Sequence, residues 1–508
     1  MLFNSPLFVL GFMPLAFGSF FLAGRLSGPR AALAWLLAAD LVFYGWWNPR
    51  YVPLLAASVG VNYVVGQRIL RLAQARAAQA RPPQDRPAQD RLGRTGRHDA
   101  ARIWLIGGIA FNLGLLGWFK YADFLLHVAV PHAAVLGIVL PLGISFFTFQ
   151  QIMFLVQSER GQRADAGPLC YAAFVCFFPH LIAGPIVRPA EILPQLQAAD
   201  LARPRADNIA AGLMIFLLGL GKKLVLADTF GSFADTGFAA ASHGTTLTLI
   251  EAWYAALAYT LQIYFDFSGY SDMAIGLARM ANVRFPLNFN SPYKACDIAE
   301  FWRRWHITLS QFLRDYLYIP LGGNRHGGAR QLGNLMLTML LGGLWHGAAW
   351  TFVAWGGLHG LYLIVHKLWR RLGWPLPWPL AQALTLLAVV VAWVPFRAEG
   401  VQPTLGMLRG MAGLNGFALP QMIVDTWPGL AAIARPVPVL LSLGAARTLS
   451  LPEVSACLLL GWTIVLALPH VHELSERARG WALTAGFAFT VQALFFAPYT
   501  APFLYFRF

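Results

Sequence analysis

The feature that most constrains this chain is the recurrence of largely apolar runs about as long as a bilayer is thick. The first runs from Ser5 to Ala23 without a charge, and a membrane helix needs about 20 such residues. Comparable stretches follow at 31–47, 51–67, 103–119, 124–142, 143–157, 168–186, 209–228, 246–265, 331–349, 350–368, 379–396, 432–447, 454–469 and 480–497. Several are short or broken by Gly and Pro, as re-entrant or half-spanning segments enclosed by protein can be. The expectation is an all-α polytopic integral membrane protein with about 10–14 transmembrane or re-entrant helices. Composition closes the alternatives. Hydrophobic residues make up 57% and charged residues 12%, with a mean hydropathy of +0.55, whereas soluble domains carry roughly 25% charged residues. That excludes a soluble enzyme, and the 14% aromatic content excludes a disordered chain. The N-terminus has no basic n-region, so it reads as a first span and not as a secretory signal.

The net charge of +15 would point to nucleic acid in a soluble protein. In a membrane protein it reads as basic residues collected in cytoplasmic loops, and no nucleic-acid partner is expected. Residues 68–102 hold nine Arg and no large apolar run, which predicts a cytoplasmic loop with a helical start at 68–80. Three spans precede it, so the N-terminus is expected on the periplasmic side, and Arg25 and Arg30 fall on the cytoplasmic side as well. The four Cys (Cys170, Cys176, Cys296, Cys457) show no metal-like spacing, so neither a disulfide framework nor a metal site is expected.

Residues 284–330 differ in kind, being basic yet dense in aromatics. Asp297 with Glu300 three residues on has capping-box spacing, which predicts a helix running to about Tyr318. Phe301, Trp305, Phe312 and Tyr316 recur near helical spacing, with Arg303, Arg304 and Arg314 elsewhere, as in an interfacial amphipathic helix. GGNRHGG then turns the chain back toward the bilayer. No repeat of 20–50 residues and no inverted pair of halves is visible, which weighs against a transporter.

Ionisable residues inside apolar runs are costly and so point to function. The leading one is His346 in LMLTMLLGGLWHGAAW, with Trp345 beside it. Gly343 and Gly347, like Gly356 and Gly360, form G-x-x-x-G patterns that serve helix packing. Packing explains the glycines but not an imidazole between them, so packing and chemistry both stay open for His346. His306, in FWRRWHITLS, is weaker alone, and His359 reads as a packing residue. Asp266 follows an apolar run, while Asp272 reads as the cap of a helix beginning near Met273. No serine-hydrolase elbow, zinc-protease, nucleotide-loop or dinucleotide motif occurs in a fitting context. Two histidines able to act in neutral form, in a basic and aromatic membrane region, point to acid–base chemistry on a hydroxyl.

FWRRWHITLSQFLRDYLYIPLGGNR followed by LLGGLWHGAAWTFVAWGGLHG resembles the signature region of the membrane-bound O-acyltransferase family. LPLGISFFTFQ (140–150), FFPHLIAGPIVRP (177–189), YFDFSGYSDMAIGLARM (264–280), FPLNFNSPY (285–293), WVPFRA (393–398) and FLYFRF at the end extend the likeness along the chain, nearest to the alginate O-acetyltransferase branch. The resemblance implies one membrane domain over 1–508 with helices around a central funnel, His346 as the family histidine at its narrow part, and His306 as the second motif position.

Acyl transfer from a thioester needs a base for the hydroxyl proton and a group that stabilises the oxyanion. A neutral imidazole can accept that proton, typically worth 10²–10⁴-fold in rate. That role is expected of His346, with His306 orienting the acceptor or polarising the acyl carbonyl. Arg303, Arg304, Arg314 and Arg325 are expected to attract the phosphates of acetyl-CoA or an acyl carrier thioester, with Asp266 and Trp345 as further substrate contacts. No tightly bound cofactor is expected. The resulting expectation is an inner-membrane acetyltransferase that moves acetyl from the cytoplasm for O-acetylation of an extracytoplasmic, alginate-like or other exopolysaccharide. It would work beside an extracytoplasmic acetyltransferase with a serine nucleophile. The alternatives are D-alanyl transfer to teichoic acid, peptidoglycan O-acetylation, or a polysaccharide export channel without chemistry.

Overall fold

The computed structural model describes residues 1–80, 92–163, 165–420, 426, 429, 435–437, 451–469, 473 and 503–504. Helix dominates throughout. The exception among the described residues is a pair of three-residue parallel strands, Ala418–Pro420 and Arg435–Val437. Among the described residues, four helical runs are long and apolar enough to cross a membrane: Leu7–Ser27, Ala100–Ala129, Ala206–Ser242 and Trp378–Arg397. The protein is an all-α, multi-spanning membrane protein. The expected span at 480–497, the middle of the Arg-rich loop and most of the expected span at 432–447 lie outside the described residues, and the described part of the last, Arg435–Val437, is strand and not helix.

The chain divides into two compact units, the first comprising Met1–Phe216 with Asp272–Pro286. Its first two helices, Met13–Ser27 and Pro29–Gly45, meet at Gly28 (φ 86°), followed by a proline at the first helical position. Glycine tolerates the left-handed turn and proline pre-sets the next helix. Helix Val52–Ala80 confirms the helical start of the Arg-rich segment. Amides join it to its neighbours. Asn62 and Asn112 exchange hydrogen bonds, with Nδ2 to Oδ1 distances of 3.2 and 2.6 Å, and Gln151 Nε2 donates to Ser58 Oγ at 3.1 Å. Such bonds hold helices together where apolar burial gives no net drive. Helix Ile144–Glu159 is buried almost throughout, and its Gln150 Nε2 lies 2.6 Å from His180 Nδ1.

Two expected elements of this unit differ. Helix Ala122–Ala129 stops short, and 132–142 is not helical, so the expected span at 124–142 does not form. Pro131, Pro141 and Gly137 (φ 66°) break it. The 168–186 stretch is split at Phe177 into Pro168–Cys176 and Phe178–Leu181. Asp40 Oδ1 accepts the Phe178 N–H exposed by that break, at 2.9 Å.

The second unit comprises Leu217–Ser271 with Leu287–Phe508. Its core is aromatic, built on Tyr259, Phe267, Phe289, Trp305, Trp355 and Trp393 among others. Helices Gly328–His346 and Trp350–Leu372 form a hairpin. A Cβ on Gly343 would collide with the Phe352 carbonyl and one on Gly356 with that of Met339, so the two backbones touch there. The packing role of the glycines is thereby confirmed.

Candidate active site

The predicted helix from Asp297 to Tyr318 is instead interrupted at its centre. Asp297 caps its start, accepting from Glu300 N at 2.7 Å, while Glu300 Oε2 accepts from Cys296 N at 2.9 Å. The helix ends at Arg304, and a second one begins at Ile307. Between them His306 takes a left-handed conformation, φ 42° and ψ 55°. A residue other than glycine sits there infrequently, and surrounding structure must hold it. The holder is Asn288. Its carbonyl accepts from Ile307 N at 2.9 Å, and its Oδ1 accepts from Thr308 N at 3.3 Å and Thr308 Oγ1 at 2.9 Å. Asn288 Nδ2 donates to Ser271 Oγ at 3.2 Å.

This clamp fixes the tautomer of His306. The Thr308 N–H can only donate, so the Asn288 atom facing it is the amide oxygen. His306 Nδ1 lies 3.1 Å from that same oxygen and must therefore carry the proton. Neutral His306 thus bears its lone pair on Nε2, which is buried and has no hydrogen-bond partner among the described residues.

His346 is the last residue of its helix, before the extended Gly347. It is 6% exposed, and its ring centroid lies 6.5 Å from that of His306. Trp345, Trp355 and Phe396 stand edge-on to it at 4.9, 5.1 and 5.2 Å. It lines a cavity of about 20 Å³, walled by Ile263, Phe267, Trp305, Trp355, Trp393 and Phe396, with Asp266 and Leu504 completing it. That is room for about one water.

Asp266 serves charge pairing. Lys223 Nζ lies 2.8 Å from Asp266 Oδ1 and 2.6 Å from Asp228 Oδ1, and Leu504 N donates to Asp266 Oδ2 at 3.0 Å. Asp272 is not a cap. It is buried inside helix Leu249–Met280, which runs unbroken past the expected start near Met273. His359 is buried, accepting from Trp302 Nε1 at 3.3 Å and stacked on Phe301, as expected of a packing residue.

None of the four arginines lines the cavity. Arg304 Nε donates to Glu300 at 2.9 Å, and Arg314 pairs with Asp315 at 2.7 Å, a contact that holds its guanidinium charged. Arg303, Arg314 and Arg325 are exposed. The structure thus brings His306, His346, Trp345 and Asp266 together and leaves the arginines on the surface. Sequence reasoning missed Asn288, which stood in the FPLNFNSPY motif, and Phe396 with Trp393, in or beside WVPFRA. It also missed Lys223, which carried the same sign as His346, an ionisable group within an apolar run.

A family model described as the membrane-bound O-acyltransferase family matches residues 110–394, which include both histidines. The chain belongs to the membrane-bound O-acyltransferase family. A peptidoglycan O-acetyltransferase of Helicobacter pylori is 42% identical over 82% of this chain and 81% of its own length. A protein named probable alginate O-acetylase from Pseudomonas aeruginosa is 40% identical over 83% of this chain and 77% of its own. A teichoic acid D-alanyltransferase of Bacillus subtilis is 27% identical over 54% and 71% respectively. As an O-acyltransferase, the protein is an enzyme, and the export-channel alternative falls away. Of the two histidines His346 lines the largely dry, aromatic cavity, and His306 stands beside it with the ring centroids 6.5 Å apart.

Proposed function

We propose that this protein transfers acetyl from a cytoplasmic thioester, acetyl-CoA or an acyl carrier, for O-acetylation of an extracytoplasmic polysaccharide. The observation that carries the reading is the pair of histidine rings 6.5 Å apart, one with a fixed Nε2 lone pair. Two hydrogen bonds of about 2.8 Å placed end to end, added to the ring half-widths, exceed that separation, so groups of one bound acceptor can reach both rings. A hydroxyl carries one proton, which goes to His346, so His306 Nε2, itself an acceptor, orients the acceptor through a second donor, such as a neighbouring hydroxyl or the single water the cavity admits. A lone pair there cannot polarise a carbonyl, which leaves orientation as its role. His346 takes the hydroxyl proton as the C–O bond forms. The C–S bond then breaks, and the proton passes to the departing thiolate.

Relatives named for acetyl transfer match at 40–42% over more than four fifths of the chain, against 27% over about half for D-alanyl transfer. That favours acetyl as the cargo. The cavity of about 20 Å³ is far smaller than a sugar ring. It supports a relay in which a separate extracytoplasmic acetyltransferase with a serine nucleophile takes the acetyl group and positions the polymer. Placement in the inner membrane with a periplasmic N-terminus belongs to the same reading. A second acceptor is favoured by one observation, the 42% identity to a peptidoglycan O-acetyltransferase. Mass analysis of secreted polysaccharide and of muropeptides, from cells with and without the gene, separates the two. Loss of O-acetyl from the secreted polysaccharide supports the first, loss from muropeptides the second, and unchanged acetylation of both refutes the proposal.

A further inference from the structure

A second cavity, of about 570 Å³, lies within the first unit and shares no lining residue with the one just described. Gly18, Phe21, Leu22, Gly24 and Arg25 of the first membrane helix line one side, with Ala202 and Arg203 opposite. That volume lies within the range of small-molecule sites. The groove exists because of two glycines. A Cβ on Gly24 would collide with that of Ala202, so the two segments meet closely at its floor, whereas Gly18 faces open space.

Its chemistry is divided. Arg25 and Arg203 are exposed at one end, and neither side chain has an ion pair or hydrogen bond among the described residues. The nearby Asp200 is taken by Arg205. From Arg25 the surface runs along the helix through Leu22, Gly18 and Leu15, a single face at spacings of three and four residues. Leu22 is 54% and Leu15 69% exposed, so this stripe faces lipid in a spanning helix. A soluble anion would satisfy the arginines and gain nothing from the stripe. A molecule with a phosphate head and an acyl chain satisfies both.

We propose that this groove binds an anionic phospholipid, its phosphate between Arg25 and Arg203 and one acyl chain along Leu22, Gly18 and Leu15. The test is native mass spectrometry of the full-length protein, equilibrated with phosphatidylglycerol or phosphatidylcholine of matched chains. An arginine near a charged headgroup contributes about a factor of five, so Arg25→Gln with Arg203→Gln should lower phosphatidylglycerol retention about 25-fold. Arg25→Lys with Arg203→Lys should keep most of it. Gly18→Phe should abolish retention by filling the groove, and because Gly18 faces open space the fold should be unaffected. Arg30→Gln, which alters a nearby arginine outside the groove, should change nothing. Equal retention of the two lipids, or full phosphatidylglycerol retention in the double Gln variant, would overturn the site. Displacement of bound lipid by glycerol phosphate lacking an acyl chain would overturn the choice of a lipid.

Discussion

Replacing Asn288 with Ala tests whether the geometry around His306 sets the reaction rate. The side chain supplies one oxygen that accepts from His306 Nδ1, Thr308 N and Thr308 Oγ1. His306 is fully buried, so no bulk water stands ready to replace that acceptor. An unsatisfied buried polar group costs about 1–3 kcal/mol. At about 1.4 kcal/mol per tenfold, the penalty borne by the imidazole corresponds to a loss of roughly 5- to 160-fold in turnover. Asn288→Asp keeps an acceptor facing both partners and should lose much less. The assay is acetyl transfer in proteoliposomes with donor and extracytoplasmic partner, per mole of folded protein. A double-mutant cycle isolates the pathway. In a His306→Ala background, Asn288→Ala should cost little more, because the ring it orients is gone. If the loss is the same size in both backgrounds, Asn288 acts through the loop alone and the tautomer argument is wrong.

His346→Gln should keep normal membrane abundance and abolish acetylation, and normal acetylation of cell-surface polymer by the stable variant would remove its assignment as the base. Lys223→Met should destabilise the protein by about 3–5 kcal/mol, because it strands buried Asp266 among apolar walls. Adding Asp266→Asn should restore part of that in detergent-unfolding measurements, and no restoration would contradict the pairing. Gly356→Leu should cut the yield of folded protein sharply, since its Cβ meets the Met339 carbonyl, while Gly333→Ala, which faces open space, should be tolerated. Arg325→Cys, in a background without native cysteines, should resist an impermeant thiol reagent added from the periplasmic side. Labelling there would reverse the proposed orientation of 284–330.

The family, the membrane class and both histidines were legible in the chain itself. Apolar runs of bilayer length, and an imidazole set among them, carry their meaning locally, because hydrocarbon penalises any polar group whatever its distant neighbours are. Elements bounded by strong local signals were legible too, such as the Asp297 cap and the glycine turns after Tyr318. The break at Trp305–His306 was not. Local spacing there favours one continuous amphipathic helix, and the interruption is held by Asn288, eighteen residues earlier. Asp272 misread as a cap for a related reason: Ser268 and Ser271 nearby have N-cap chemistry, yet the helix around them continues to Met280. The partner of Asp266 was hidden because Lys223 lies far off in sequence. Sequence thus determined which groups this protein must shelter from lipid. Tertiary structure decided which of them meet, because a hydrogen bond or ion pair depends on distance in space, and helices separated along the chain set that distance.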